Sequence, residues 1–229
     1  MTTAIIGAGE LGSVIARLLV AGGEDVILAA KGTERTRQLA DDLGPLARAA
    51  SVQDAIGGTD TVILAVLFNT AREQFLPQYA HLLTGKVVID PTNPVGVDEK
   101  GEIYRVLPEG QYAGEIVAGL LPPGASYVKA FGTLAPALTV LAEGANREPK
   151  RAALFYATSD DGAAKRAEQL IRAAGYDPLK VGGAADAHRI EALGGDLFAF
   201  GPFTAPDVPG FIGELVDLDD ARAALKSRP

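Results

Sequence analysis

The chain has 229 residues, 48% of them hydrophobic, enough to bury the core of one large α/β domain or two small ones. Its net charge of −8 argues against a nucleic-acid partner, because nucleic-acid binding leaves a basic footprint. With no cysteine and 2 histidines, disulfides, thiol catalysis and cysteine metal ligands are excluded and no metal site is expected. No apolar run approaches the roughly 20 residues that a membrane-spanning helix needs. The chain enters strand-like sequence without a charged leader, so we expect a soluble, cytoplasmic protein with no membrane partner.

The apolar run Ala4-Ile5-Ile6 meets Gly7-Ala8-Gly9-Glu10-Leu11-Gly12, a full G-x-G-x-x-G. A helical period follows in Leu11, Val14, Ile15, Leu18 and Leu19, Gly22-Gly23 stops it, and Val26-Ile27-Leu28-Ala29 begins a second strand. A strand, a glycine turn, a helix and a strand in about 30 residues form the context in which this motif binds a dinucleotide. Gly7 permits the tight turn, Gly9 lets backbone approach a pyrophosphate, and Gly12 lets the helix pack close to the sheet. The helix N-terminus then presents free N–H groups and a positive dipole end to the phosphates. Selectivity for NAD would place a carboxylate at the end of the second strand. That place reads Ala29-Ala30-Lys31-Gly32-Thr33, with Arg35 and Arg37 on the following helix. Lys31 and Thr33 suit a 2′-phosphate, which a carboxylate would repel, so NADP(H) is favoured over NAD(H).

Thr33 to Leu43 reads as a helix with Thr33 as its N-cap, Ala47–Ala49 as a short strand, and Ser51 as the cap of a short helix to Ile56. Asp60 to Val66 is nearly continuously apolar, as expected of a parallel strand buried on both faces. It ends at Val66, Leu67 and Phe68, after which Asn69 or Thr70 caps a helix to about Leu83. Lys86–Asp90 is a fifth strand, and Pro91-Thr92-Asn93-Pro94 makes a stiff loop at its carboxyl end, where open α/β sheets bind ligands. Asn93 in that loop is a candidate contact to the nicotinamide or its ribose. Gly96 to Gly110 reads as a surface loop, Tyr112 to Leu121 as a helix, and Tyr127–Phe131 as a sixth strand. A helical stretch to about Glu143 follows. Arg151 to Thr158 is a seventh strand, Ser159 to Ala174 leads into and through a helix, and Asp177 to Val181 is the last strand. Asp186 to Phe200 has the apolar spacing of a helix, with His188 in a capping or packing role. His81 reads as a structural surface residue. These elements make one doubly wound α/β domain over residues 1–200, with a mostly parallel sheet of about eight strands flanked by helices. Residues 201–229 form a tail ending in an acidic helix near Leu218–Leu225, and its Phe203, Phe211 and Ile212 need cover from the domain or from a partner in a homodimer.

On these residues the chain resembles the NADPH-dependent reductases of the deazaflavin coenzyme F420, a small Rossmann family related to the soluble domain of the STEAP ferric reductases. The resemblance runs from about Met1 to Phe200 on GAGELG (Gly7–Gly12), AAK (Ala29–Lys31), GEIVAGLLP (Gly114–Pro122), VKAFGT (Val128–Thr133) and HRIEALGGDLFAF (His188–Phe200). It implies that Lys31 takes the place of an arginine that clamps the 2′-phosphate, with Ala30 where a serine is frequent. It also implies that Pro94 lies with Asn93 at the cofactor, and that the acceptor lies over the nicotinamide near Leu67, Phe68, Asn93, Gly132, Thr133 and Ala135. Relatives often read KAFNT, whereas Gly132 stands here in place of the asparagine.

Direct hydride transfer from NADPH to a flat conjugated acceptor needs proximity and orientation more than an acid or a base. No catalytic side chain is therefore assigned, and the acceptor class includes coenzyme F420, FMN or FAD, or a flavin-bound iron complex. Two alternatives stay open. One is reduction of a small imine or ketone, as in reductases that share the first half of this chain but add a helical C-terminal domain. The other is a non-enzymatic protein that senses NADP(H).

Overall fold

In the amino-terminal strand, Thr2–Ile6 (β1), every residue after the first is buried, because the strand lies in the middle of the sheet with cover on both faces. The computed structural model describes residues 2–134, 151–200 and 216–228. Parallel to β1 on one side runs Asp25–Ala29 (β2), in register Ile5 to Leu28, followed by Ala47–Ala49 (β3). On the other side come Thr61–Ile63 (β4), Val87–Asp90 (β5) and Ser126–Ala130 (β8), all parallel. Ala153–Ala157 (β9) then joins β8 antiparallel, and Asp177–Gly182 (β10) completes the sheet parallel to β9. The eight-stranded order is β10-β9-β8-β5-β4-β1-β2-β3, an α/β Rossmann-type sheet with one antiparallel junction.

Alternate residues of each strand supply the two cores. Ile5, Leu28, Ile63, Ile89, Val128 and Leu154 face one layer of helices, while Ala4, Ile27, Val62, Val88, Tyr127 and Phe155 face the other. On the first face Glu10–Ala21 (α1) buries Ile15, Leu18 and Leu19, beside Thr33–Leu43 (α2) and Asp161–Ala173 (α7). Full burial of a Leu or Ile is worth roughly 1.5–3 kcal/mol, so α1 is held by its apolar stripe more than by propensity. At the amino end of the sheet, Arg166 of α7 donates to Thr3 Oγ1 at 2.7 Å and Thr61 Oγ1 at 3.1 Å and pairs with Glu24. That cluster pins α7 to β1 and β4 at the end away from the glycine turn.

On the second face lie Val52–Gly57 (α3), a helical segment made of Phe68–Thr70 (α4), a π turn Ala71–Phe75 and Leu76–Tyr79 (α5), then Ala113–Gly119 (α6) and Leu218–Ser227 (α8). Val216 accepts from the amide of Ala153 at 2.8 Å, Asp217 bridges to Ala152, and α8 buries Ala221 and Ala224.

Several local expectations are corrected. The N-cap of α2 is Gly32, with Thr33 its first residue, and α4 starts at Phe68 with Leu67 as its cap. Residues 96–110 are not a plain loop: Val95–Val97 (β6) and Ile103–Arg105 (β7) pair antiparallel as a hairpin. Residues 186–200 are not one helix but two 3-10 segments, Ala184–Ile190 and Phe198–Phe200. Between them Glu191, 1% exposed, accepts the amides of Gly114 at 2.6 Å and Ala113 at 3.1 Å, capping α6, and a continuing helix would carry that carboxylate away. His188 donates from Nδ1 to the Ala185 carbonyl at 2.8 Å and packs its ring on Tyr112, a packing role. The expected helix to Glu143 and the tail residues Phe203, Phe211 and Ile212 lie outside the described residues.

Candidate functional site: a cleft at the carboxyl end of the sheet

The turn after β1 depends on its glycines in two different ways. Gly7 sits at φ +111°, its amide bonds the Ala29 carbonyl at 2.8 Å, and a Cβ there would lie 2.1 Å from the Ala65 carbonyl oxygen. A Cβ on Gly12 would lie 1.9 Å from the Gly7 carbonyl, so this glycine sets how closely α1 approaches β1. Gly9 is the N-cap of α1, has no side-chain cap, and would meet no protein atom within 4 Å if given a Cβ. The open space beside Gly9 thus adjoins a helix N-terminus whose first amides have no side-chain cap, an arrangement suited to a phosphate.

From this turn a cleft of about 540 Å³ runs across the carboxyl ends of β1, β4, β5 and β8. Gly7, Gly9, Glu10 and Leu11 line its first end, and Val66, Leu67 and Phe68 its middle. Thr92, Asn93 and Gly132 form the floor, and Val95 and Ile103 of the hairpin with Leu134 form the far wall. Glu10 is the one ionisable side chain among the described lining residues. Leu67, 71% exposed, stands at the rim, while Phe68 is buried under the Arg72 guanidinium, 5.1 Å from its ring centre.

The floor is rigid. Asn93 donates from Nδ2 to the Gly132 carbonyl at 2.7 Å and accepts from the Ala192 amide at 2.9 Å, so its amide ties three loops together. A Cβ on Gly132 would lie 2.9 Å from the Pro91 carbonyl, so glycine here permits that close approach. The two non-glycine residues with positive φ among those described, Phe131 at 63° and Leu193 at 58°, each adjoin a lining residue, Gly132 and Ala192. Such conformations cost of order 1 kcal/mol or more and persist where surrounding bonds impose them, commonly at functional sites.

Beneath the floor lies a buried polar group. Asp90 and Lys129 are register partners on β5 and β8, both 0% exposed, and form an ion pair at 3.3 Å. Tyr127 donates to Asp90 Oδ2 at 2.9 Å, and burial, followed by the Asp90 carboxylate, pushes its phenol well above the usual tyrosine range. Asp90 Oδ1 accepts the Thr92 amide at 2.8 Å and the Lys129 ammonium donates to the Thr92 carbonyl. The hydroxyls of Thr92 and Thr133 are buried without a partner among the described residues.

At the end of β2 a smaller cavity of about 220 Å³ is lined by Ala30, Thr33, Thr36, Arg37 and residues 49–51. Lys31 stands exposed beside it and donates to Gln74 Oε1 at 2.7 Å.

Of the residues singled out from the sequence, the cleft brings together Gly7, Gly9, Glu10, Leu11, Val66, Leu67, Phe68, Asn93 and Gly132. Ala8, Gly12, Pro94 and Thr133 are buried and do not line it. Arg35 is exposed on α2 and lines neither cavity; Arg37 is the α2 arginine that does. Ala135 lies outside the described residues. Asp90, Tyr127, Lys129 and Glu191 were missed, because a charged residue near a strand end reads as solvated until the order of the sheet is known.

Among the described residues no helix is long and apolar enough to cross a membrane. Residues 2–94 match the family model described as NADP oxidoreductase coenzyme F420-dependent. The chain is 27% identical over 192 residues to metalloreductase STEAP3 of Rattus norvegicus, spanning 82% of this chain and 35% of that protein. Hypothetical protein SMa0349 from Sinorhizobium meliloti has a similar structure, with TM-score 0.67 and 28% identity over 95% of each chain. A protein of Arthrobacter sp. FB24, assigned as an F420-dependent NADP-reductase, reaches TM-score 0.68 at 20% identity over 81% of this chain and 86% of its own. Imine reductase BcSIRED from Bacillus cereus shares the fold at TM-score 0.56 and 17% identity, over 80% of this chain and 55% of its own.

Proposed function

We propose that this chain, whose residues 2–94 match the F420-dependent NADP oxidoreductases, is an NADP(H)-dependent oxidoreductase that transfers a hydride between the dinucleotide and a flat conjugated acceptor. A deazaflavin of the F420 type is the first candidate, and FMN, FAD or flavin-bound iron form the wider class. The observation that carries this reading is the continuous cleft, which joins an open glycine turn to an apolar chamber with one ionisable side chain among its described lining residues.

The residues fit a dinucleotide. The open side of Gly9 and the α1 amides would hold the pyrophosphate, and Val66 to Phe68 would flank the ribose and nicotinamide. Ala30 and Thr33 would seat the adenosine end in the smaller cavity, and Lys31 and Arg37 would offer two cations to a 2′-phosphate. The bound dinucleotide supplies two electrons as a hydride, and the acceptor takes them up with one proton from solvent. The chain's own contribution is orientation: the Asn93–Gly132–Ala192 floor fixes the lower face, and Val95, Ile103 and Leu134 exclude water from the far side.

The test is NADPH oxidation at 340 nm by the purified protein, offered a deazaflavin, FMN, FAD with ferric iron, and a cyclic imine. Fastest turnover with the deazaflavin or a flavin is expected. Turnover on the imine alone, or tight NADPH binding without turnover on any acceptor, would overturn the proposal.

A further inference from the structure

Thr92 combines three features found together at no other described residue. Its backbone is gripped at both ends by a buried ion pair, the amide by Asp90 at 2.8 Å and the carbonyl by the Lys129 ammonium. The residue is 3% exposed, and its hydroxyl is buried with no partner among the described residues. It lines the cleft. A buried hydroxyl without a bond costs free energy that folding does not return. Replacing it by a methyl would remove that cost, whereas here a fully buried lysine and aspartate hold the residue in place.

The position of Thr92 indicates the ligand group. Neighbouring strands lie about 4.8 Å apart, so the end of β5 is about 10 Å across the sheet from the glycine turn at β1, with β4 between them. That is the reach of one sugar and one ring beyond a pyrophosphate seated at Gly9. The acceptor side, at Gly132 on the end of β8, lies one strand further. We infer that the Thr92 hydroxyl is a binding group for the nicotinamide half of NADP(H), making a hydrogen bond to its carboxamide or ribose hydroxyls, and that Asp90 and Lys129 are positioning residues that aim it. This inference rests on the dinucleotide reading of the cleft.

The test compares Thr92→Val, which keeps the shape and removes the hydroxyl, with Thr92→Ser, which keeps the hydroxyl. Two ligands are titrated in each: NADPH, and adenosine 2′,5′-bisphosphate, which lacks the nicotinamide half. Thr92→Val should weaken NADPH about tenfold, the usual consequence of losing one buried hydrogen bond. It should leave the bisphosphate unchanged, and it should raise the melting temperature of the ligand-free protein by about 3 °C as the unpartnered hydroxyl disappears. Thr92→Ser should bind NADPH as the wild type does. NADPH binding unchanged in Thr92→Val, or an equal loss of both ligands, would overturn the inference. If Thr92→Val fails to fold, Thr92→Ala takes its place: weakened NADPH in the alanine variant with normal binding in the serine variant supports the role, and normal binding in both refutes it. If the wild type binds the bisphosphate but not NADPH, the inference fails while an adenosine site stands. If it binds neither, the dinucleotide reading itself fails.

Discussion

Substitutions at the three glycines of the first turn should separate folding from ligand binding. Gly9→Ala adds a methyl with no protein atom within 4 Å at a backbone angle, φ −74°, that alanine accepts. Its stability cost is that of a poorer N-cap, about 1 kcal/mol, or about 3 °C in melting temperature for a chain of this size. Gly9→Val adds two more carbons in the same open direction, where the pyrophosphate is expected, and should weaken NADPH at least about 100-fold, or about 2.7 kcal/mol. Gly12→Ala is the opposite case. Its Cβ would lie 1.9 Å from the Gly7 carbonyl, so α1 must move off the sheet at a cost of at least about 3 kcal/mol, and the melting temperature should fall by about 6 °C or more. Gly7→Ala adds a left-handed φ of +111° to a 2.1 Å approach and should behave like Gly12→Ala or worse. Thermal unfolding and NADPH fluorescence titration read the two effects separately. NADPH affinity within about threefold of wild type in Gly9→Val would refute the ligand assignment of this turn. Wild-type stability in Gly12→Ala would refute the packing argument.

Lys31→Ala should weaken NADPH by about tenfold or more and leave NADH nearly unchanged, because in the proposed pose the ammonium meets the 2′-phosphate, which NADH lacks; equal effects on both would remove the clamp. Lys129→Met leaves the Asp90 carboxylate buried without its cation and should cost about 3–5 kcal/mol in urea unfolding. The double variant Asp90→Asn/Lys129→Met should regain part of that loss, and a harmless single substitution would mean the pair is not buried in solution. Asp160 caps α7 through the Ala163 amide at 2.6 Å and accepts from Ser126 at 3.1 Å, and these bonds, the amide first, hold its carboxyl below the usual aspartate range. Asp160→Ala should cost about 1 kcal/mol at neutral pH. Since the folded pKa is the lower one, the charge-dependent part of that stability is present above the unfolded value of about 3.9 and is lost as pH falls below it. A variant gap that widened on acidification would contradict this sign.

Much of the architecture is legible in the sequence where hydrophobic period and turn chemistry agree. The unit from Thr3 to Ala29 states its own strand, glycine turn, helix and strand, and the buried runs around Val62, Val88 and Val128 carry the apolar continuity of parallel strands. The cleft follows from this, since loops at the carboxyl ends of such strands converge. What escaped reading depends on partners distant in sequence. The β6–β7 hairpin has strands of three residues each, next to Pro94 and interrupted by Gly96, too short to show alternation. Residues 186–200 have helical apolar spacing at Ile190, Leu193 and Leu197. The requirement that Glu191 cap α6 overrides it, with Leu193 left-handed and Gly194-Gly195 beside it. Asp90 and Lys129 lie 39 residues apart and meet only because β5 and β8 are sheet neighbours, an order that no local pattern reveals.

The measurement that bears most directly on the proposed chemistry is a single-turnover reaction with NADPH deuterated at C4 of the nicotinamide and a deazaflavin acceptor. Transfer within the cleft predicts deuterium in the reduced acceptor without exchange with solvent, and a slower hydride step than with unlabelled NADPH. Reduced acceptor carrying only solvent hydrogen, or no oxidation of bound NADPH at all, would contradict direct hydride transfer by this chain.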